Sequence, residues 1–273
     1  MTILSKIAFG AWQIGGDITI DGENKGWQSI NSSKAIDLLQ KAYSMGIKDY
    51  DTSASYGDGL SEKLIGKAFD GEKNIAIGTK YGWITENHKQ RADFSKENLL
   101  KSLEQSLKRL KRDKLAYVLM HSPKPEDITE EAIEALANLK KQGIIEAFGI
   151  SISLIEPYLQ QISTFDIVEC LYNPISLQNE AFFKEIKPTK IYARSLFASG
   201  LLLKKVTDLN PTFYTDWRKN LPPILWEKAK NFAINNPDIP TRFKNIIETT
   251  ASIPEIDKCI IGFSDVEQLE VLS

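Results

Sequence analysis

Two cysteines and two histidines are all that the 273 residues offer of the usual soft metal ligands. Cys170 and Cys259 lie in apolar, strand-like runs, and their separation suits neither a disulfide framework nor a zinc site. His88 and His121 have no acid-rich cluster at the strand ends beside them, so no metal site is expected and a metal-dependent lyase or hydrolase is a weak reading. Charge of one sign is also missing. Lys and Arg total 34 against 36 Asp and Glu, a net charge of -2 that gives no basic footprint for nucleic acid. No apolar run approaches the roughly 18 residues of a membrane span, and MTILSKIAFG lacks the charged start and long apolar stretch of a signal peptide. The reading is a soluble, cytoplasmic protein with reduced thiols, no nucleic-acid partner and no membrane.

What the chain has is rhythm. Short apolar runs alternate with amphipathic stretches from start to end. Strands are predicted at 7–11, 47–51, 75–80, 115–121, 145–151, 166–171, 190–194 and 258–262. Helices are predicted at 33–45, 60–69, 96–111, 127–142, 154–162, 178–186, across 222–251 and from about Asp265. No Gly- or Ser-rich linker and no composition shift divides the series, so residues 1–273 read as one domain. Strands alternating with helices argue for a parallel sheet, and eight such units within a chain of this length predict a closed (β/α)8 TIM barrel. The rival is an open doubly wound sheet, but no G-x-G-x-x-G follows the first strand.

In such a barrel the carboxyl ends of all strands meet around one pocket. Asp51, Lys80 and His121 end the second, third and fourth predicted strands, and Tyr56 lies on the glycine-bounded loop after the second. Each alone has a plain structural explanation: a helix cap, a packing ring, a solvated ammonium, a satisfied core histidine. Their coincidence on one rim points to chemistry. A phenol near pKa 10 is a poor acid at neutral pH, and an ammonium held by a carboxylate is expected to lower it. Tyr56 then protonates a developing alkoxide, Lys80 tunes it, Asp51 fixes Lys80, and His121 orients the carbonyl oxygen. With no thiol or metal at hand, hydride from a bound cofactor is the natural nucleophile. Trp12, Trp27 and Trp83 follow strands one and three on the expected pocket rim, where Trp12 and Trp83 with Tyr56 and His121 are expected to contact a carbonyl substrate, although core packing explains the tryptophans equally well.

The stretch Asp51-Thr-Ser-Ala-Ser-Tyr56-Gly-Asp-Gly-Leu-Ser-Glu62-Lys-Leu-Ile-Gly66 resembles the first signature of the aldo-keto reductase family. Asp51, Tyr56, Lys80 and His121 match that family's catalytic tetrad, and further matches run through 143–151, Tyr172-Asn173, 193–201, 260–262 and 267–269. The resemblance implies a (β/α)8 fold and interconversion of carbonyls and alcohols with NADP(H), or alternatively NAD(H). By the same resemblance Ser151, Glu169, Arg194, Ser195, Leu196, Gly200, Leu201, Gly262, Ser264 and Gln268 take the cofactor positions. Three departures stand out: Ile152 occupies the family's asparagine position, Glu169 its glutamine, and Arg194 the place of a stacking aromatic. Asp265 follows Ser264 where the family places basic residues, and by the resemblance the fold is expected to lack the family's usual C-terminal extension. These departures motivate an alternative: a nucleotide-binding barrel that serves as a regulatory or interaction subunit with little turnover. Substrate identity, oligomeric state and the role of Arg218 in YTDWRKN are left open by the sequence.

Overall fold

The computed structural model describes residues 3–27 and 31–272. Among them, eight parallel strands close into a barrel in sequence order. They are β1 (Ile7–Gly10), β2 (Asp49–Asp51), β3 (Ala76–Tyr81), β4 (Leu115–His121), β5 (Ile145–Ile152), β6 (Ile167–Leu171), β7 (Lys190–Arg194) and β8 (Ile256–Ile261). β8 pairs with β1 through Ile7 and Cys259, which closes the ring and leaves no free edge. The predicted (β/α)8 architecture is the observed one.

Alternate residues of each strand point into the barrel. Ala8, Tyr117, Leu119, Ile167, Tyr192 and Ile260 pack there as an apolar plug. The opposite faces join the larger core beneath the surrounding helices. These helices include α1 (Ser32–Ser44), α2 (Leu60–Ala68), α3 (Lys96–Leu110) and α4 (Glu130–Lys141). In α3 the buried residues Leu99, Leu103 and Leu110 recur at helical spacing, and the Ser95 side chain caps the first turn by accepting from the Asn98 N–H. Each buried leucine contributes about 1.5–3 kcal/mol against about 1 kcal/mol for the cap. Packing therefore fixes the helix, and the cap sets where it starts.

Two predicted helices are absent. Residues 154–162 and 178–186 form 3-10 turns around Glu156–Tyr158 and Glu180–Phe182. The Asn179 side chain explains the local choice. Its Oδ1 accepts from the Ile155 N–H at 2.8 Å, and its Nδ2 donates to Ser153 O and Leu171 O at 2.8 and 2.7 Å. Side-chain bonds of this kind satisfy backbone groups that a helix would otherwise pair, and such short segments nucleate helix poorly. The helical segment predicted across 222–251 comprises two helices, α5 (Pro223–Asn235) and α6 (Ile239–Ser252), the second capped by Asp238. α7 (Val266–Glu270) follows, capped by Asp265. Two antiparallel hairpins, Thr19–Ile20 with Glu23–Asn24 and Trp83–Glu86 with Lys89–Ala92, rise from the loops after β1 and β3. They meet where the Asp21 N–H donates to His88 O at 2.8 Å. No described helix is long and apolar enough to cross a membrane.

Candidate active site

The loop after β2 is held by its own motif residues. Thr52 Oγ1 and Ser61 Oγ are 2.8 Å apart, and Ser61 Oγ donates to Ala11 O at 2.8 Å, which ties the start of α2 to β1. Glu62, fully buried, accepts from Thr79 Oγ1 and from Arg109 Nε, both at 2.6 Å. Gly57 has a left-handed φ of 59°, and a Cβ there would stand 1.9 Å from Gly15 O. Only glycine lets this loop press against the loop after β1. The result is a rigid platform for Tyr56.

The four rim residues converge. The Lys80 ammonium donates to Asp51 Oδ1 and, at 3.1 Å, to Thr52 O. Tyr117 Oη donates to Asp51 Oδ2 at 3.0 Å. That reach depends on Gly78, because a Cβ there would fall 1.9 Å from the Tyr117 ring. Lys80 Nζ lies 5.4 Å from the centre of the Tyr56 ring, and the Tyr56 and His121 rings meet edge to face at 5.7 Å. Ser53 Oγ and Ser55 Oγ sit 3.0 and 3.3 Å from His121 Nδ1, and Trp83 Nε1 donates to His121 O at 2.7 Å. The two serines, spaced i and i+2 on the motif loop, belong to the site without having been singled out in the sequence.

Burial works against the Lys80 ammonium, but Asp51 and then Glu169 outweigh it and hold its pKa well above the ordinary lysine value. The Asp51 carboxyl is pushed up to about 7, by burial first and by the Glu169 charge second, with Lys80 pulling the other way. His121 is held well below its ordinary value by burial, then by Lys80 and Arg194. For Tyr56 the structure corrects the expectation. Burial raises its pKa to about 12, and the opposing pull of Lys80 does not overcome it. In the free protein the phenol is firmly protonated.

A cavity of about 500 Å³ opens over this cluster. Trp12, Trp83, Tyr56 and His121 all line it, as do Asp51, Ser151, Glu169, Arg194, Ser195, Leu196, Gly200, Gly262, Ser264 and Gln268. Lys80 sits just behind the wall, fully buried. Leu201 does not belong to the cavity: its side chain is in the core, and its N–H donates to Ala198 O at 3.2 Å. Ile152 likewise packs into the core and offers the cavity no amide. Trp27, expected on the rim, lines the cavity as well, and so do Gln13, Lys204 and Arg218, none of which was assigned to the site from sequence. Trp12 stacks on Tyr56 and on Trp217, with ring centres 6.0 and 5.1 Å apart. Arg218, held by Asp216 at 2.5 Å, lies 4.7 Å from the Trp27 ring and 4.8 Å from that of Tyr214.

The residues present fit a nicotinamide dinucleotide. The bend at 195–200 carries left-handed φ angles at Ser195, Ala198, Ser199 and Gly200. Ser195, Ser199 and Gly200 line the cavity together with the cations of Lys204 and Arg218, a donor set suited to a pyrophosphate. At the other end the hydroxyl of Ser151 and the carboxylate of Glu169 face the same space. Glu169 Oε2 is buried 3.4 Å from Lys80 Nζ with no hydrogen-bond partner.

Fold and site define a class, the (β/α)8 barrel with its polar cluster and cavity at the carboxyl ends of the strands. Residues 6–253 match the model of the aldo/keto reductase family, and the chain belongs to that family of oxidoreductases. It is 28% identical to the aldo-keto reductase YhdN of Bacillus subtilis (strain 168), over 98% of this chain and 84% of that one. Identity to L-galactose dehydrogenase of Arabidopsis thaliana is 26%, over 98% and 82% of the two chains. The solved structure of glycerol dehydrogenase AKR11B4 from Gluconobacter oxydans is similar with a TM-score of 0.74 at 22% identity, covering 98% of this chain and 85% of that one, a likeness of fold.

Proposed function

We propose that the protein reduces an aldehyde or ketone to an alcohol, with NADP(H) favoured and NAD(H) the alternative. The observation that carries this reading is the state of Tyr56: a protonated phenol on the cavity wall, with the Lys80 ammonium behind its ring and the His121 ring against its edge. When bound, the reduced nicotinamide supplies the hydride. The remaining work falls to this chain's own side chains. His121 is uncharged, and with Ser53 or Ser55 donating to Nδ1 its proton sits on Nε2, free to donate to the carbonyl oxygen. Tyr56 gives its proton to the alkoxide as negative charge develops there. Lys80 stabilises the phenolate left behind, and Asp51 holds Lys80 in place. The aromatic wall of Trp12 and Trp83 excludes water and receives the apolar part of the substrate. Ser264 on the cavity wall supports a phosphorylated ribose, and the Asp265 carboxylate is occupied in accepting from the Gln268 N–H at 2.9 Å.

Two relatives are named for oxidising sugars, L-galactose dehydrogenase and a D-threo-aldose 1-dehydrogenase, so sugar aldehydes belong in the first substrate panel. Tyr56→Phe is expected to lower kcat about a hundredfold to ten-thousandfold while cofactor binding persists. A variant that still consumes NAD(P)H at the wild-type rate removes Tyr56 from the mechanism. The burial of Ile152 in the core favours a second reading, a nucleotide-binding subunit with little turnover. Tight cofactor binding with no turnover on any carbonyl would select it.

A further inference from the structure

Four charges share the head of the barrel: Asp51 and Glu169, Lys80 and Arg194. The roles proposed above use Asp51 and Lys80 and leave Glu169 unexplained. Its side chain is 1% exposed. Oε1 accepts from Ser151 Oγ at 2.8 Å and lies 3.5 Å from Arg194 Nε, while Oε2 lies 3.4 Å from Lys80 Nζ and has no hydrogen-bond donor. A buried carboxylate held this loosely persists only if cations balance it. Lys80 has Asp51 as a second anion, whereas Glu169 is the one carboxylate paired with Arg194 among the described residues, so the charge that Glu169 matches is Arg194. That guanidinium is fixed in place. It donates to Ile152 O at 3.0 Å and to Ser195 Oγ at 3.2 Å, with Ser153 Oγ at 3.4 Å. Both residues line the cavity beside Ser151.

Resting on the proposed use of a nicotinamide cofactor, this charge balance has a consequence for cofactor choice. The nicotinamide ring is cationic when oxidised and neutral when reduced. A fixed guanidinium alone at this end of the cavity would repel the oxidised ring and leave the reduced one nearly unaffected. We propose that Glu169 is the counter-charge to Arg194 that holds the nicotinamide end of the cavity near neutrality, and that the pair sets the relative affinity for oxidised and reduced cofactor. Glu169 is a positioning and specificity-determining residue in this scheme and exchanges no proton with substrate.

Glutamine is nearly isosteric with glutamate, retains a carbonyl acceptor, and is the residue type the family resemblance assigns to this position. Glu169→Gln therefore removes charge with little change of shape. The experiment titrates wild-type protein, Glu169→Gln, Arg194→Gln and the double variant with the oxidised and reduced forms of whichever nucleotide the wild type binds. Quenching of tryptophan emission gives each Kd, and melting curves verify the fold. Glu169→Gln should raise the ratio of oxidised to reduced Kd about tenfold, and Arg194→Gln should lower it by about the same factor, as expected for unit charges in a partly desolvated site. The double variant should return close to the wild-type ratio. Equal weakening of both forms by Glu169→Gln would reduce Glu169 to a hydrogen-bonding role and overturn the proposal, as would two single variants that shift the ratio the same way or leave it unmoved. Should Glu169→Gln fail to fold, the sign of the Arg194→Gln shift decides. Wild-type protein that binds neither form removes the proposed function itself, an outcome distinct from any change in the ratio.

Discussion

Two ion pairs sit inside one barrel, two residues apart along β2, and they have little else in common. Toward the amino ends of the strands, Asp49 accepts from Lys258 at 2.8 Å, with side chains 26% and 20% exposed and Lys258 also donating to Ser5 O. At the carboxyl ends, Asp51 pairs with Lys80 at 3% and 0% exposure. Between the two levels lies the plug of Tyr117, Tyr192, Leu119 and Ile260. The lower pair keeps contact with water, and Asp49 and Lys258 answer each other one for one. The upper pair is almost closed off from bulk solvent, Asp51 at the cavity wall and Lys80 behind it, joined by a second carboxylate and a second cation. In a low-dielectric site each charge is felt by all the others, and that coupling moves the pKa values of Asp51, Lys80, Tyr56 and His121 together. An ion pair becomes a candidate for chemistry through desolvation and crowding, and the bond between acid and base is the lesser part.

The largest expected difference between the levels comes from removing each lysine. Lys80→Met would leave Asp51 and Glu169 as two buried carboxylates with one cation between them. We expect a loss of about 3–5 kcal/mol in stability and about a thousandfold in kcat for carbonyl reduction. Denaturant titration and steady-state kinetics measure both. Undiminished turnover would place the working charge elsewhere.

Next in size is the pH dependence of stability. Asp51 titrates from 3.8 in an unfolded chain to about 7 in the folded protein. A raised acid pKa means that the folded state holds more protons between these values. The contribution of this group is therefore full below pH 4 and is lost as pH rises through 7. Asp51→Asn should flatten that slope in urea midpoints taken from pH 4 to 8. Glu169→Gln, which removes the second cause of the rise, should move the upper end of the slope to lower pH. An identical slope in all three proteins would detach Asp51 from it.

A smaller effect isolates the plug. Gly78→Ala would force the Tyr117 ring away, since the new Cβ would stand 1.9 Å from it, and would cost Asp51 its Tyr117 hydrogen bond. Overpacking of this kind costs about 1–3 kcal/mol. If the Tyr117–Asp51 bond adds to the tuning of the upper level, Gly78→Ala shifts the pH dependence of kcat/KM as well as the melting temperature. A shift in melting temperature alone would make Tyr117 a packing residue only.

How much of this was legible in the sequence follows the same division between local and collective terms. Strand periodicity and the eight-fold alternation are local patterns, and they led directly to the barrel and to Asp51, Lys80, His121 and Tyr56 on one rim. The helices predicted at 154–162 and 178–186 failed because Asn179 reaches backbone groups 24 and 26 residues away, a pairing no local pattern displays. Leu201 was assigned to the cofactor by its place in a motif, while its side chain follows the apolar run into the core. Ser53 and Ser55 were inside the quoted motif, and their i, i+2 spacing on a loop was the available signal. The direction of the Tyr56 shift was not legible, because it is the sum of burial and four charges from β2, β3, β6 and β7.

The smallest predicted effect is the one that tests the comparison most directly. Lys258→Met removes the cation of the lower pair while keeping most of the aliphatic stem. Asp49 then remains partly exposed to water and keeps its hydration, so no uncompensated buried charge is left. The expected loss is about 1 kcal/mol or less, the range of solvent-accessible pairs, and it should shrink further in high salt. Turnover and the pH dependence of kcat/KM should match wild type, because the plug separates Lys258 from the cavity. A Lys258→Met protein with altered pH dependence would mean that charge at the lower level reaches Asp51 through Tyr117 and Tyr192, whose rings meet edge to face at 5.6 Å. The two levels would then be one electrostatic unit, and the inertness assigned to the lower pair would have to be given up.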